Sequence, residues 1–358
     1  GTFTADFEII KGLKARAVLG GEVRHEHRFT SHKTYQYVVD NGAEHSDIST
    51  ASTGGNTKRE ADDWTKKVTF VTAQLMLDYN RTFKEKHNVT GLFGWSDESE
   101  IGYDITAARQ GMNSIDQPGD GSIATEGTKL SSQSKYRRAL QSFFGRAGYS
   151  YDDRYMVTAT VRRDGYCAFG ANNPWATFPS ISAAWTFTNE KFFKWEPMST
   201  GKLRVSWGKN GNRSLADPYI ALSDLGAGMG KTMGYINKNG NVVDMKYMSA
   251  NRLANPNLQW EKTEAYNIGL DFGFFNDRLT GSIEGYFMTT HDMIMSQRLP
   301  DFSGFGNITT NLGEVQNRGL EISLNSVNFD RENFTWNTSF GLSWNKNKIK
   351  HLYYEMED

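Results

Sequence analysis

Within "ATVRRDGYCAFGANNPWATFPSISAAWTF", residues 159–187, a short hinge gathers Asp164, Tyr166, Asn172, Asn173 and Trp175. A carboxylate, a phenol, two amides and an indole can hydrogen-bond a polar solute and stack on it, which is the chemistry of binding. Asp164-Gly165 and Asn172-Asn173-Pro174 are also ordinary turn chemistry, so the same residues serve either as ligand contacts or as a turn alone. Bond-making chemistry is poorly represented. The seven histidines (25, 27, 32, 45, 87, 291 and 351) are scattered, and there is no nucleophile elbow, phosphate loop or convincing carboxylate pair. No enzymatic activity and no cofactor are expected. His25 and His27 share a strand face, as two metal ligands could, but that face also carries Leu13, Ala17, Leu19 and Val23. They are read as the edge of an apolar face, and no metal site is expected. Gly226, Gly228 and Gly230 in "LGAGMGK" fall in a loop with neither a strand before nor a helix after, so a phosphate cradle is not expected.

The elements that position the hinge follow from composition and period. The chain has 358 residues, a net charge of −1, 38% hydrophobic and 13% aromatic residues, and Cys167 as its single cysteine. A near-neutral chain argues against a nucleic-acid partner, and one thiol builds neither a disulfide framework nor a thiolate zinc cage. No run approaches the roughly 18 apolar residues of a spanning helix. The chain starts at Gly1 without initiator methionine or secretory leader, and is read as residues 1–358 of a longer protein. Period-two alternation predicts strands near 3–10, 13–27, 64–80, 87–97, 138–151, 154–164, 176–187, 201–210, 260–273, 278–294, 314–328 and 333–348. In the last, Phe334, Trp336, Phe340, Leu342 and Trp344 share one parity, and Thr335, Asn337, Ser339, Gly341, Ser343 and Asn345 the other.

A half-buried soluble sheet shows the same split; the connections separate the two. Tight ones at 11–12, 81–86, 152–153, 188–200, 274–277 and 329–332 alternate with longer ones at 28–63, 98–137, 165–175, 211–259 and 295–313. An antiparallel transmembrane β-barrel alternates short periplasmic turns with long extracellular loops in this way, whereas a sandwich has no reason to. Six of the seven prolines fall in connections, and Pro179 is placed near a strand start. Tyr149, Tyr151, Tyr155, Trp185, Phe187, Phe272, Phe274, Phe275, Phe334 and Trp336 crowd the tight turns as an interfacial girdle would. The parity sends Arg146, Arg162, Arg204, Glu284 and Glu321 to the lumen, where they either steer a solute or form ion-pair ladders along the wall.

"SFFGRAGYSYDDRYMVTATVRRDG", "FGANNPWATFPSISAAWTFTNEKFF", "LRVSWGKNGN", "NPNLQWEKTEAYNIGLDFGFFNDRLTGSIEGYF" and "NLGEVQNRGLEISL", in that order and spacing, resemble the SusC/RagA family of TonB-dependent outer membrane transporters of Bacteroidetes-type bacteria. The resemblance covers about residues 3 to 350. It implies that the chain is about twelve strands of an all-β barrel of about twenty-two, integral to the outer membrane and in contact with its lipid. A plug and an N-terminal segment coupling to TonB would lie outside this sequence. It further implies import of a large nutrient, a glycan or oligosaccharide or in some members a peptide, beneath a SusD-type surface lipoprotein as lid. One departure is Tyr166, Cys167 and Ala168 after the Arg-Arg-Asp-Gly, where the family has small or polar residues and a basic one.

A passive porin or adhesin barrel, and a soluble β-rich binding protein, are the alternatives. The loops 98–137 and 211–259, rich in Gly, Asn, Ser and Asp, are the places where a solute or lid would be met. In a Cys167→Ser background of the full-length protein, cysteines at Asn113 or Asn239 are expected to react with an impermeant thiol reagent on intact cells. One at Asn276 is not; equal labelling of Asn276→Cys overturns the topology.

Overall fold

A computed structural model of the chain describes residues 1–32, 37–39, 52–54, 60–110, 128–129, 132–213, 215 and 217–352. Among them the regular structure is strand, apart from single 3-10 turns at Phe187–Asn189 and Asp301–Ser303. Twelve strands form one continuous path in which each is hydrogen-bonded to its neighbour in sequence. They are β1 (Thr2–Ile10), β2 (Leu13–His32), β3 (Glu60–Phe83), β4 (His87–Gln110), β5 (Ser132–Tyr151) and β6 (Tyr155–Tyr166), followed by β7 (Trp175–Thr186), β8 (Met198–Asn212), β9 (Glu261–Phe274), β10 (Leu279–His291), β11 (Glu314–Arg331) and β12 (Phe334–His351). From β5 to β12 every pairing is antiparallel. The short pair Thr128–Lys129 adds to the edge of β4. By contacts the chain divides into two compact units, one of residues 1–2, 20–72 and 98–138 and the other of residues 3–19, 73–97 and 139–358.

In the second unit the register turns the parity of each strand into rows that cross the sheet. One row runs Tyr149, Val157, Ala183, Val205, Ile268, Gly285, Leu320 and Trp344. Two residues along lies Tyr151, Tyr155, Trp185, Leu203, Leu270, Ile283, Ile322 and Leu342. Tyr155, Val157, Ile268 and Leu320, on strands flanked on both sides, are all exposed; β12, at the end of the path, is exposed on both faces. A continuous apolar band exposed on one face is costly in water and is the outer wall of a membrane barrel. The intervening residues make the other face: Arg204, Gly269, Glu284, Glu321 and Ser343 in one row, and Lys202, Asp271, Ser282, Ser323 and Gly341 in the next.

Tight turns close most hairpins at one end; the connection 187–197 is the exception, longer than 167–174 at the other end, so the expected alternation of lengths is not strict there. Lys84 and Glu85, Asp152 and Asp153, and Phe275 to Asp277 all adopt positive φ, the left-handed backbone that matches the twist of two antiparallel strands. Gly12, at φ +89°, has no room for a side chain: a Cβ would meet the Asn80 carbonyl oxygen at 2.7 Å. Rings gather there, with Trp195 on Phe274 at 5.7 Å and Phe329 stacked on Trp336 at 5.9 Å. Glu190 ties the 187–197 turn to the wall, accepting from Arg154 Nη1 at 3.0 Å, Trp185 Nε1 at 3.2 Å and the Tyr155 hydroxyl.

At the other end the structure corrects several boundaries. β3, β4 and β5 run to Glu60, Gln110 and Ser132, so about half of the expected loop 98–137 is strand; its remainder, Asn113 included, lies outside the described residues. The alternation stops short because side chains on both faces are polar there, while antiparallel pairing needs no apolar face. Within the first unit His27 Nε2 meets Asp63 at 2.7 Å, the Arg28 guanidinium lies 5.1 Å over Trp64, and the Tyr136 hydroxyl donates to Glu100 at 2.7 Å. The expected structureless loop 211–259 holds a hairpin, Asp224–Ile236 with Val242–Arg252, so "LGAGMGK" is strand and not loop. A second hairpin, Ile294–Arg298 with Asn307–Asn311, lies in the next connection. Pro179 is inside β7 opposite Val161, not at its start. Its missing N–H is tolerated because the ladder to β8 ends beside it, at Ser180 and Gly208.

Two outcomes are expected of the full-length barrel. Leu342 and Ser343 are neighbours on opposite faces, and an arginine at the lipid midplane costs about 2–4 kcal/mol. Leu342→Arg should therefore lower the refolding yield from urea far more than Ser343→Arg, and equal losses would contradict the face assignment. The bond from Tyr155, then those from Trp185 and Arg154, hold the Glu190 carboxyl below its ordinary value of 4.5. A depressed folded-state value gives stability that is present above 4.5 and lost as pH falls through that lower value. Glu190→Gln should lower the thermal midpoint at pH 7 and flatten its decline below pH 4.5; an unchanged acid limb would clear Glu190 of the effect.

Candidate functional site

The hinge and the inner wall meet in the second unit. β6 and β7 deliver Asp164, Tyr166, Ala176 and Phe178 to the inner face, because these share the parity of Arg162 and oppose the apolar band. The loops fold over this face and bury Phe169, Ala221, Leu258 and Trp260 against Leu140, Tyr166 and Phe178. Leu258 has no exposed surface and Trp260 is 2% exposed. Trp260 packs on Phe169 at 4.7 Å and edge-on to Phe178 at 5.5 Å, and its Nε1 donates to the Pro174 carbonyl at 3.2 Å. The burial is ring-rich, with Tyr166, Phe169, Phe178 and Trp260 packed together.

Three connections are locked together by backbone groups. Gly170 N donates to the Leu258 carbonyl at 2.8 Å and Asn172 N to the Pro256 carbonyl at 3.0 Å. Asn311 Nδ2 donates to the carbonyls of Gln259 and Asp292, each at 2.8 Å, and Asn255 Nδ2 to that of Thr309 at 2.8 Å. Arg252 bonds Asp217 and the carbonyls of Tyr219 and Leu222. The connection after β6 is thus one part of a packed assembly.

Each predicted hinge residue has a definite place. Asp164 is 8% exposed and accepts from Arg162 Nε at 2.8 Å. Tyr166 is 6% exposed and belongs to the buried cluster, with Arg213 6.0 Å over its ring. Asn172 and Asn173 are brought together on Asn257, at 2.7 Å to its Oδ1 and 3.1 Å to its carbonyl. Trp175 stands apart: it shares the parity of Ile181 and Trp185, is 37% exposed, and meets Phe143 at 6.1 Å and the Arg163 guanidinium at 5.7 Å.

The predicted wall charges form a ladder only in part. Arg204 makes two bonds of 2.8 Å to Asp271 and reaches Glu284 at 3.5 Å, while Glu284 also accepts from Asn267. Arg162 bonds Asp164 and, at 2.9 Å, Ser142 Oγ. Arg146 and Glu321 take their places in the inner rows, opposite Thr160 and beside Glu284. Arg204 and Asp271 are about a third exposed, at 35% and 33%. Ion pairs so wetted contribute only about 0–1 kcal/mol, so the ladder does little for stability and leaves a charged wall on the face opposite the apolar band.

Sequence reasoning missed Asp271, Asn257, Leu258 and Trp260. "NPNLQW" held a signal for the last three, a Pro-Asn turn feeding an indole just before a strand. Nothing local marked Asp271 as the partner of Arg204, 67 residues away. Among the described residues no group of three His, Cys, Asp or Glu could hold a metal ion.

The family model described as TonB dependent receptor-like, beta-barrel matches residues 5–354. TonB-dependent receptor P39 of Formosa agariphila is 34% identical over 287 residues, 77% of this chain and 25% of that protein. TonB-dependent receptor SusC of Bacteroides thetaiotaomicron is 38% identical over 233 residues, 63% of this chain and 22% of that protein. The matched regions are about a quarter of the length of these curated relatives. The fold is shared with the structure of the RagAB peptide transporter, at a TM-score of 0.81 and 24% identity over 99% of this chain and 37% of that one. With its exposed apolar band and alternating connections, the chain is part of an outer membrane barrel and belongs to the TonB dependent receptor-like beta-barrel family.

Proposed function

We propose that the whole protein imports a large polar nutrient, a glycan or oligosaccharide in the first place and a peptide in the second, by TonB-dependent transport. The observation that carries this reading is the inner wall. It presents paired charges, amides and hydroxyls in rows across β8 to β12, below a loop assembly held in one conformation. A wet wall of that kind exchanges hydrogen bonds with a polar solute at little net cost. Similarity to a TonB-dependent receptor, SusC, supports TonB-dependent import, and the fold shared with a peptide transporter keeps a peptide as the second choice. This chain would supply part of the barrel, while a plug and a segment that engages TonB would belong to the rest of the protein.

The hinge would then work as a platform. Asn172, Asn173 and Asn257 fix one another, so a ligand contacts whichever amide groups these bonds leave open, with Asp164 and Tyr166 holding the platform from beneath and Trp175 steadying the strand from outside. A SusD-type surface lipoprotein would rest on the long connections, the hairpin 224–252 being the most extended of those described.

Two measurements test this. Uptake of labelled oligosaccharide by cells carrying the full-length protein should fall to background when TonB is deleted. Transport that persists unchanged would replace the active importer with a passive porin. Replacing 226–250 by a short Gly-Ser turn should leave the barrel heat-modifiable, since no membrane strand is touched, and should release a lipoprotein that co-purifies under gentle extraction. Retention of that partner by the shortened variant would place the lid elsewhere.

A further inference from the structure

The outward face carries a feature that solute import does not use. Beyond the apolar band, toward the long connections, β11 and β12 present Gln316, Arg318, Lys346, Lys348 and Lys350 around one cavity of about 260 Å³. Arg318 stands directly opposite Lys346, and Gln316 opposite Lys348. Like charges facing each other across an antiparallel pair are destabilising, and none of these four cations has a carboxylate partner among the described residues. The acid of this strand end, Glu314, is taken by His291 at 3.1 Å. At the short-turn end the same two strands present Phe329, Phe334 and Trp336 instead.

A second feature adjoins it. Where Gly285 interrupts the apolar row, a groove of about 750 Å³ opens on the outward face, walled by Trp207, Tyr266, Ile268, Phe287 and Trp344. Arg318 lines both the groove and the cationic cavity. A hydrocarbon slot ending under a cluster of cations that no described carboxylate pairs matches an acylated molecule whose headgroup is anionic, chains in the groove and charge on the lysines.

We infer that this face binds a phosphorylated glycolipid of the outer leaflet, with the phosphate held by Arg318, Lys346, Lys348 and Lys350 and an acyl chain seated over Gly285. The leaflet follows from the position of the cluster at the long-connection end. Three flexible ammonium groups and one guanidinium suit a diffuse phosphate better than a rigid planar carboxylate. The bland account, long cationic side chains reaching for the interface, explains a single lysine but not four cations around one cavity beside a groove, two of them directly opposed. The inference rests on the membrane placement and not on which solute the protein carries.

The test uses the full-length receptor in dodecyl maltoside, stripped of lipid and offered monophosphoryl lipid A in mixed micelles, with occupancy read by native mass spectrometry. Binding should weaken at least about tenfold in Lys346→Gln/Lys348→Gln/Lys350→Gln, and comparably when the lipid is dephosphorylated. Gly285→Leu should also weaken it, because the new side chain fills the groove; a Cβ there meets Ile268 Cγ2 at an ordinary 3.8 Å, so the strand accommodates it. Should the triple variant fail to fold, the Gly285→Leu and dephosphorylated arms decide. Equal binding by the triple variant, equal binding of phosphatidylcholine, or displacement of the lipid by millimolar inorganic phosphate would each overturn the site. Loss of barrel stability in the lysine variants with unchanged lipid occupancy would also overturn it, by showing that these cations serve pairing within the protein.

Discussion

In hydrocarbon an unpaired peptide N–H or C=O has no water to turn to, and each costs several kcal/mol. That single requirement organises this molecule. It makes each long strand between the two ends of the path pair with both its neighbours in sequence, and with pairing obligatory the two faces of the sheet can diverge completely. Rows that join Tyr149 to Trp344 and Tyr151 to Leu342 are apolar because lipid lies against them. The alternate rows are free to carry Arg204, Asp271, Glu284 and Glu321 because water does.

The inversion of the usual core follows from the same cause. Exposed Val157, Val205, Ile268 and Leu320 would be an aggregation surface on a soluble sheet. Here the conventional hydrophobic cluster is small and lies with the loops, where Leu258 and Trp260 close over Tyr166 and Phe178. Its task is conformational: it converts connections that could wander into a shaped rim, using rings for area and the amides of Asn255, Asn257 and Asn311 for register. The wetted ion pairs of the wall then add electrostatic character at little cost or gain in stability.

The outward face is graded along the strands as well as across them. Rings dominate the short-turn end, an apolar band follows, and cations collect at the other end on β11 and β12. Three solvents meet this surface in succession, and each selects side chains by its own chemistry: amphipathic rings at an interface, aliphatic and aromatic groups in hydrocarbon, ammonium groups beside anionic headgroups.

The sequence by itself determined the class and the faces. Period-two alternation placed all twelve strands within a few residues through the apolar band, and parity put Arg162, Arg204 and Glu284 on the face opposite the apolar rows, because lipid on one side and water on the other write their contrast into every second residue. Only the tertiary structure decided where β3 to β5 end, since beyond the lipid both faces are polar and pairing leaves no periodic trace. It alone decided that 224–252 is a hairpin, that Trp175 faces outward while Tyr166 is buried, and that Asn172 and Asn173 meet on Asn257. Partners such as Arg204 with Asp271, or Trp260 with Phe169, lie far apart in the chain, and no local pattern encodes a contact that exists only once the register of intervening strands is set.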